Sequence, residues 1–332
     1  MQVSYSTNNA QLIDSVEQFI EIWNDASLDF STPTSGSTGI PKSILISKQH
    51  ARASAQMTGE FLDLNKGDTA LLCLSPTTIA GKMMIVRSIV LEMNLIVTDV
   101  NSDPLNSIDE HIDFAAMVPL QAQGSLQALN RIQKLIVGGG TISNNLWDEL
   151  SNKSTTIYQT YGMTETISHV AMRKVGDRDR TYKALPRVEF NMKNGALNIS
   201  APHLGITDIQ TNDAVELLNN HSFNWLGRVD FVINSGGIKI HPEQIESKIS
   251  SYIPSPFFSI GIEDNDLGQK QVLCVESLSK EVIEIEQIRS CLDKYFLPKE
   301  IHYFEKFEYT ASGKINRLET LKKIHNAEKQ VL

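Results

Sequence analysis

Between residues 69 and 152 short apolar runs alternate with amphipathic stretches, and this alternation restricts the possible folds more than any other feature of the chain. The runs at 69–74, 95–100, 115–119 and 134–137 have strand length, whereas 82–93 and 144–152 repeat their apolar residues at helical spacing. Strand and helix in turn predict an α/β fold built on a central sheet. Ahead of this block, Leu12, Ile13, Val16, Phe19, Ile20 and Trp23 recur at helical spacing behind Asn8 and Asn9, which predicts a capped amphipathic helix lying against the core. From 187 to 232 the pattern changes to short strands broken by Asn-Gly, Asn-Asp and Asn-Asn-His turn signals, a more antiparallel character. The remainder predicts a helix at 242–252, strands at 257–262 and 271–276, and a helix at 285–295. The chain thus divides into a large α/β domain of sheets and helices over 1–229 and a small C-terminal α+β domain over 230–332.

With 332 residues, 41% hydrophobic and 21% charged, the chain is long and apolar enough for a large core and a second, smaller one. Its net charge of -9 carries no Lys/Arg run, which makes nucleic acid and anionic membranes poor partners and leaves a small molecule as the expected ligand. Cys73, Cys274 and Cys291 are too far apart in sequence to suggest a disulfide framework or a zinc site, and the histidines show no metal-ligand spacing. There is no basic segment leading into an apolar one at the N-terminus, and no apolar run approaches the roughly 20 residues that span a bilayer. The expectation is a soluble, cytoplasmic protein.

The first chemical signal is the loop Thr34, Ser35, Gly36, Ser37, Thr38, Gly39, Ile40, Pro41, Lys42. Glycine lets a backbone approach a phosphate closely, and exposed N–H groups, hydroxyls and a lysine charge can hold its oxygens. A kinase or GTPase loop needs glycine immediately before the lysine, and here Pro41 stands there. The loop is therefore a phosphate cradle of another type, the alternative being a flexible polar connection before a strand.

This nine-residue run resembles the TSGSTGxPK loop of the acyl-adenylate-forming superfamily, which includes acyl-CoA synthetases, luciferases and the adenylation domains of peptide synthetases. Further matches follow in the family's order: the glycine turn Gly138, Gly139, Gly140; Tyr161-Gly162-Met163-Thr164-Glu165 for YGxTE; Thr211-Asn212-Asp213 for TGD; Gly227 to Asp230 at the domain junction; Ser235 to Glu246 opening the small domain; and Thr310 to Arg317 for the terminal SGKxxR. Six ordered matches make coincidence very improbable.

The resemblance implies ATP, Mg²⁺ and coenzyme A as cofactors and co-substrates, and a carboxylic acid as substrate. A carboxylate is a poor acyl donor until a group that can leave is attached, and attack on the α-phosphate brings two anions together. By resemblance, Lys314 bridges the carboxylate and α-phosphate, Glu165 holds the metal, Thr164 bonds a phosphate oxygen, Tyr161 stacks near the adenine, and Asp213 with Arg228 binds the ribose. Arg228 could instead pair with a carboxylate at the domain boundary, and Trp225 nearby reads as core. The small domain is expected to pivot at Asp230, taking Lys314 away and bringing the loop at Gly236 and Gly237 against the thiol arm.

Two departures narrow the reading. The phosphate loop starts at residue 34, where full members carry a long preceding segment, so the large domain is expected to be truncated at its N-terminus. Thr78 stands where the family's LPxxHxxG motif has histidine. Compactness, the Ile79-Ala-Gly-Lys-Met-Met84 segment and the run from Tyr161 to Ala171 most resemble the short o-succinylbenzoate:CoA ligases of menaquinone biosynthesis. Their substrate keeps a second carboxylate, for which Lys82 and Arg87 are the candidates, and His169 could line the acyl pocket or cap the loop. The alternatives are a ligase for another aryl or short-chain acid, donating to CoA, a carrier-protein thiol or an amine, or a non-catalytic nucleotide-binding homologue.

Overall fold

Apolar residues in the alternating block segregate to the two faces of one sheet. In the computed structural model, which describes residues 1–33, 43–277, 283, 285–309 and 315–332, that sheet has ten strands. Six run parallel in the order Val3–Ser6, Asn94–Thr98, Thr69–Leu72, Ile112–Met117, Ile132–Val137 and Thr156–Gly162. Four antiparallel strands extend it: His169–Lys174, Tyr182–Ala184, Ser222–Arg228 and Asp213–Asn219. Because successive side chains in a strand point to opposite faces, Ala70, Leu72, Leu95, Val97, Phe114 and Ala116 enter one core, while Leu71, Ile96, Ala115 and Met117 enter the other. Both faces are buried, which is why these strands read as continuous apolar runs.

Helices α1 (Ala10–Asn24), α2 (Lys48–Leu62) and α3 (Ile79–Val90) cover the first face, and α4 (Pro119–Gly124) and α5 (Asn144–Ser151) the second. The expected cap on α1 is Asn9, whose side chain accepts from the Leu12 N–H. It buries Leu12, Val16, Phe19 and Trp23, as the helical spacing predicts. Helix α3 starts three residues before its apolar pattern suggests, because Thr78 caps it by accepting from the Gly81 N–H. Gly81 is required there, since a Cβ would lie 2.1 Å from the Ser75 carbonyl oxygen. The turn-rich region forms the predicted antiparallel strands, including the three-stranded sheet of Glu189–Lys193, Ala196–Ala201 and Ile206–Gln210, whose apolar side chains join the first core.

After the short helical turn Val229–Phe231, a second sheet with its own apolar core begins. Its helices are α6 (Pro242–Ile249), α7 (Ile285–Cys291) and α8 (Arg317–Leu321). The helices expected at 242–252 and 285–295 are shorter, each followed by a tighter turn at Ser250–Tyr252 and Lys294–Phe296. The strand Phe257–Asp264 is paired along its length with Gly268–Glu276, so both outrun the apolar stretches predicted for them.

Candidate functional site

Two parallel strands end side by side and deliver two of the sequence motifs. After Ile132–Val137 comes Gly138-Gly139-Gly140, and Thr156–Gly162 carries Tyr161 and Gly162 at its own C-terminal end. Open α/β sheets bind ligands beyond the carboxyl ends of such strands. The glycines have specific reasons: a Cβ on Gly138 would sit 2.3 Å from Thr160 Oγ1, and Gly139 has φ +75°. Gly162 has no room for a side chain either, with the Ser168 carbonyl 2.3 Å from its would-be Cβ.

Thr164 and Glu165 follow in a short helical turn, Thr164 buried and Glu165 exposed. The next residue but one, Ile167, is held at φ +68°, a conformation that a β-branched residue adopts only at a cost of about 1–3 kcal/mol. Thr166 fixes it in place, its hydroxyl oxygen accepting from the Met163 N–H at 2.9 Å and lying 2.7 Å from the Ser168 carbonyl. Beyond this turn Ser168 meets Arg87 of α3, and His169 meets Thr58 of α2.

There Arg87, only 2% exposed, donates to Ser168 Oγ at 2.6 Å and approaches the Met84 sulfur, while its Nε–H has no partner. No carboxylate among the described residues pairs with it, and burial pulls its guanidinium down to about 10. His169 lies beside it, with Nε2 3.0 Å from the Thr58 hydroxyl and Nδ1 3.3 Å from Ser168 Oγ. Burial and then the Arg87 charge push the imidazole well below its usual range, so it is neutral at physiological pH. The other sequence candidate, Lys82, is not brought to this place. Its ammonium donates to the Ser31 carbonyl and lies 5.4 and 5.8 Å from the Phe19 and Phe30 ring centres.

Tyr161 packs its ring on Tyr182 and Phe223 and donates its hydroxyl to Asp213 Oδ2 at 2.6 Å. Burial, then the Asp213 charge, raises the phenol far above its ordinary value, so it remains a donor. Arg228, opposite Asp213 in register, donates to Asp230 at 3.0 Å. Asn212, at the glycine position of the TGD-like segment, and Arg228 together hold the Asp230 carboxyl below the usual carboxylate range. Gly236 and Gly237 have φ +56° and +83° between two paired strands, a mirror-image hairpin turn that demands glycine irrespective of any ligand. Residues 34–42 and Lys314 lie outside the described residues.

Several contributors were not expected from sequence. Ser168 links Arg87 to His169, Trp225 donates its indole N–H to Asp213 Oδ1 at 3.1 Å, and Gln244 of α6 donates to the Trp225 and Leu226 carbonyls. Apart from the neighbours Ser168 and His169, these contacts join residues 12 or more positions apart, which no local pattern reveals.

Comparison with known proteins agrees with this geometry. The family model described as AMP-binding enzyme matches residues 17–199. The 2-succinylbenzoate–CoA ligase of Salmonella typhimurium is 26% identical over 308 residues, covering 87% of this chain and 67% of that protein, and that of Bacillus cereus is 26% identical with 86% and 68% covered. This chain thus spans about two thirds of the length of these curated relatives. A crystal structure of an acyl-CoA synthetase (AMP-forming)/AMP-acid ligase II-like protein from Dyadobacter fermentans is 36% identical, with 96% of each chain covered and a TM-score of 0.65. The o-succinylbenzoate CoA synthetase of Bacillus subtilis, solved with its acyl-adenylate intermediate, shares the fold at a TM-score of 0.76 and 22% identity, with 88% of this chain and 69% of that one covered. With a glycine turn and a YGMTE turn at the ends of two neighbouring strands, with Tyr161 hydrogen-bonded to the Asp213 carboxylate, and with these matches over most of its length, the chain belongs to the AMP-binding enzyme family of adenylate-forming acid:CoA ligases.

Proposed function

We propose that this protein joins o-succinylbenzoate to coenzyme A through an acyl-adenylate. The observation that carries the choice of acid is Arg87, a buried guanidinium with no acidic partner among the described residues. Burying a cation without a counter-charge is costly, and a structure retains such a group where something else supplies the anion. An acid with a second carboxylate supplies it, while leaving its other carboxylate free to be activated. Relatives at 26% identity bear the name of that activity, which supports the same choice.

In this reading Lys314 bridges the reacting carboxylate and α-phosphate, and the Thr34–Lys42 loop holds the outgoing phosphates. The exposed Glu165 carboxylate, which has no hydrogen-bond partner among the described residues, suits a magnesium ion, and Thr164 lies beside it. Bound magnesium would screen the phosphate charges. Asp213 accepts the ribose hydroxyls and the C-terminal domain, from about Asp230, turns between the two half-reactions. Activity tests should compare o-succinylbenzoate, benzoates and fatty acids in thioester formation with ATP and CoA. O-succinylbenzoate should be the best substrate; activity on medium-chain fatty acids with none on o-succinylbenzoate would overturn the proposal.

A further inference from the structure

Asp213 has two donors, and the second comes from a place where strand pairing is broken. Asp213–Asn219 and Ser222–Arg228 are antiparallel, with Asp213 opposite Arg228 and Ala214 opposite Gly227, but Val215 is opposite Trp225. Leu226 is therefore an extra residue on one strand, a β-bulge, and bulges re-aim side chains. In regular pairing Trp225 would project from the face opposite to Arg228 and Asp213. The bulge turns it onto their face, and its indole N–H reaches Asp213 Oδ1 at 3.1 Å while the Tyr161 hydroxyl holds Oδ2 at 2.6 Å.

Each carboxylate oxygen can accept about two hydrogen bonds. One donor on each oxygen fixes the plane of the group and leaves acceptor capacity on both, which suits a pair of neighbouring hydroxyls. The bulge is also where the C-terminal lobe grips the large one. Gln244 Nε2 of α6 donates to the Trp225 and Leu226 carbonyls at 3.0 and 3.2 Å, and Glu243 Oε1 accepts from the Arg228 N–H at 3.4 Å. At the intervening Gly227, with φ +149°, a Cβ would lie 2.3 Å from Glu243 Oε2.

We propose that Trp225 is a positioning residue that orients Asp213 for the ribose hydroxyls of a bound nucleotide, and that Gln244 links this orientation to the docked C-terminal lobe. The inference rests on the nucleotide-binding role given to Asp213 above. It is tested by calorimetric titration of the full chain with ATP and with 2′,3′-dideoxy-ATP, which lacks both hydroxyls. Wild type should prefer ATP. Trp225→Phe keeps the ring but loses the N–H, and it should weaken ATP binding by about tenfold, the scale of a lost hydrogen bond to a charged group, while leaving dideoxy-ATP almost unchanged. Gln244→Ala should weaken ATP in the same selective way, by about threefold, the low end for a neutral hydrogen bond. In an Asp213→Asn background, Trp225→Phe should cost nothing further, because it acts only through that carboxylate. Equal weakening of both nucleotides, unchanged preference in Trp225→Phe, or an additive loss in the Asp213→Asn background would overturn the inference, and unchanged ATP binding by Gln244→Ala would remove its link to the C-terminal lobe. Failure of the wild type to bind ATP at all would instead remove the underlying role of Asp213, and the inference with it.

Discussion

Each lobe sets an arginine against its core, Arg87 buried and Arg317 half-buried, and they treat it differently. In the C-terminal lobe Arg317 donates to Glu246 at 2.8 Å and to the Ser259 carbonyl, and its guanidinium lies 4.8 and 5.7 Å from the Phe231 and Phe258 ring centres. Glu246 also accepts from the Ser259 N–H, so one ion pair ties together α6, α8 and the strand Phe257–Asp264. In the large lobe Arg87 has a serine, a methionine sulfur and an empty Nε–H. A paired charge at the edge of a core fixes local structure, whereas an unpaired buried one is a standing cost that a ligand can relieve. Under the proposed function, the contrast sets a ligand-facing arginine in the large lobe against an architectural one in the small lobe.

The largest effect should come from breaking the paired arginine. Arg317→Met leaves the half-buried Glu246 without its cation and should destabilise the C-terminal lobe by about 2–3 kcal/mol, measured by denaturant unfolding. A loss below about 1 kcal/mol would erase the distinction between the two arginines.

Arg87→Met should behave in the opposite way. Without ligand its stability should equal or exceed that of the wild type, because an uncompensated charge has been replaced by an apolar side chain of similar length. Its kcat/KM for o-succinylbenzoate should fall by about a hundredfold, with benzoate much less affected. Lys82→Met, which removes an ammonium occupied elsewhere, should change the same ratio by less than about threefold. If Lys82→Met proved as harmful as Arg87→Met, Arg87 would lose its special standing.

The smallest effect concerns pH. His169 is buried with its pKa depressed well below 6.5, so the unfolded chain takes up a proton there that the folded one resists. Its contribution is fully present above the unfolded value and is lost as pH falls from about 6.5 towards the folded value, at no more than about 1.4 kcal/mol per pH unit. Unfolding midpoints between pH 7 and 5 should therefore fall less steeply in His169→Gln than in wild type. Parallel profiles would show that the acid sensitivity lies elsewhere.

Much of this was legible in the chain. The alternating block fixed the strands because a sheet covered on both faces needs apolar residues at nearly every position, and the short helical pattern of α1 revealed its buried side. Asn9 was readable as a cap because the apolar pattern of α1 starts right behind it; Thr78 was not, because the helical stretch legible in α3 starts only at Lys82. Both glycine motifs were identifiable, but the reason for each residue, such as the 2.3 Å approach of Thr160 to Gly138, is a matter of space that no spacing rule contains.

What the sequence by itself determined is the order of elements, the family and the types of residue available to a site, because periodicity and contiguous motifs are local properties. Tertiary structure decided how they meet. Lys82 and Arg87 lie five positions apart on one helix, so their side chains diverge, and only packing shows that one goes to aromatic rings and a carbonyl while the other enters the core with no counter-charge among the described residues. Trp225 looked like an ordinary core residue until one extra residue in a strand turned its N–H onto a carboxylate twelve positions away. Burial and hydrogen-bond partnership depend on contacts between distant segments, and those contacts exist only once the chain has folded.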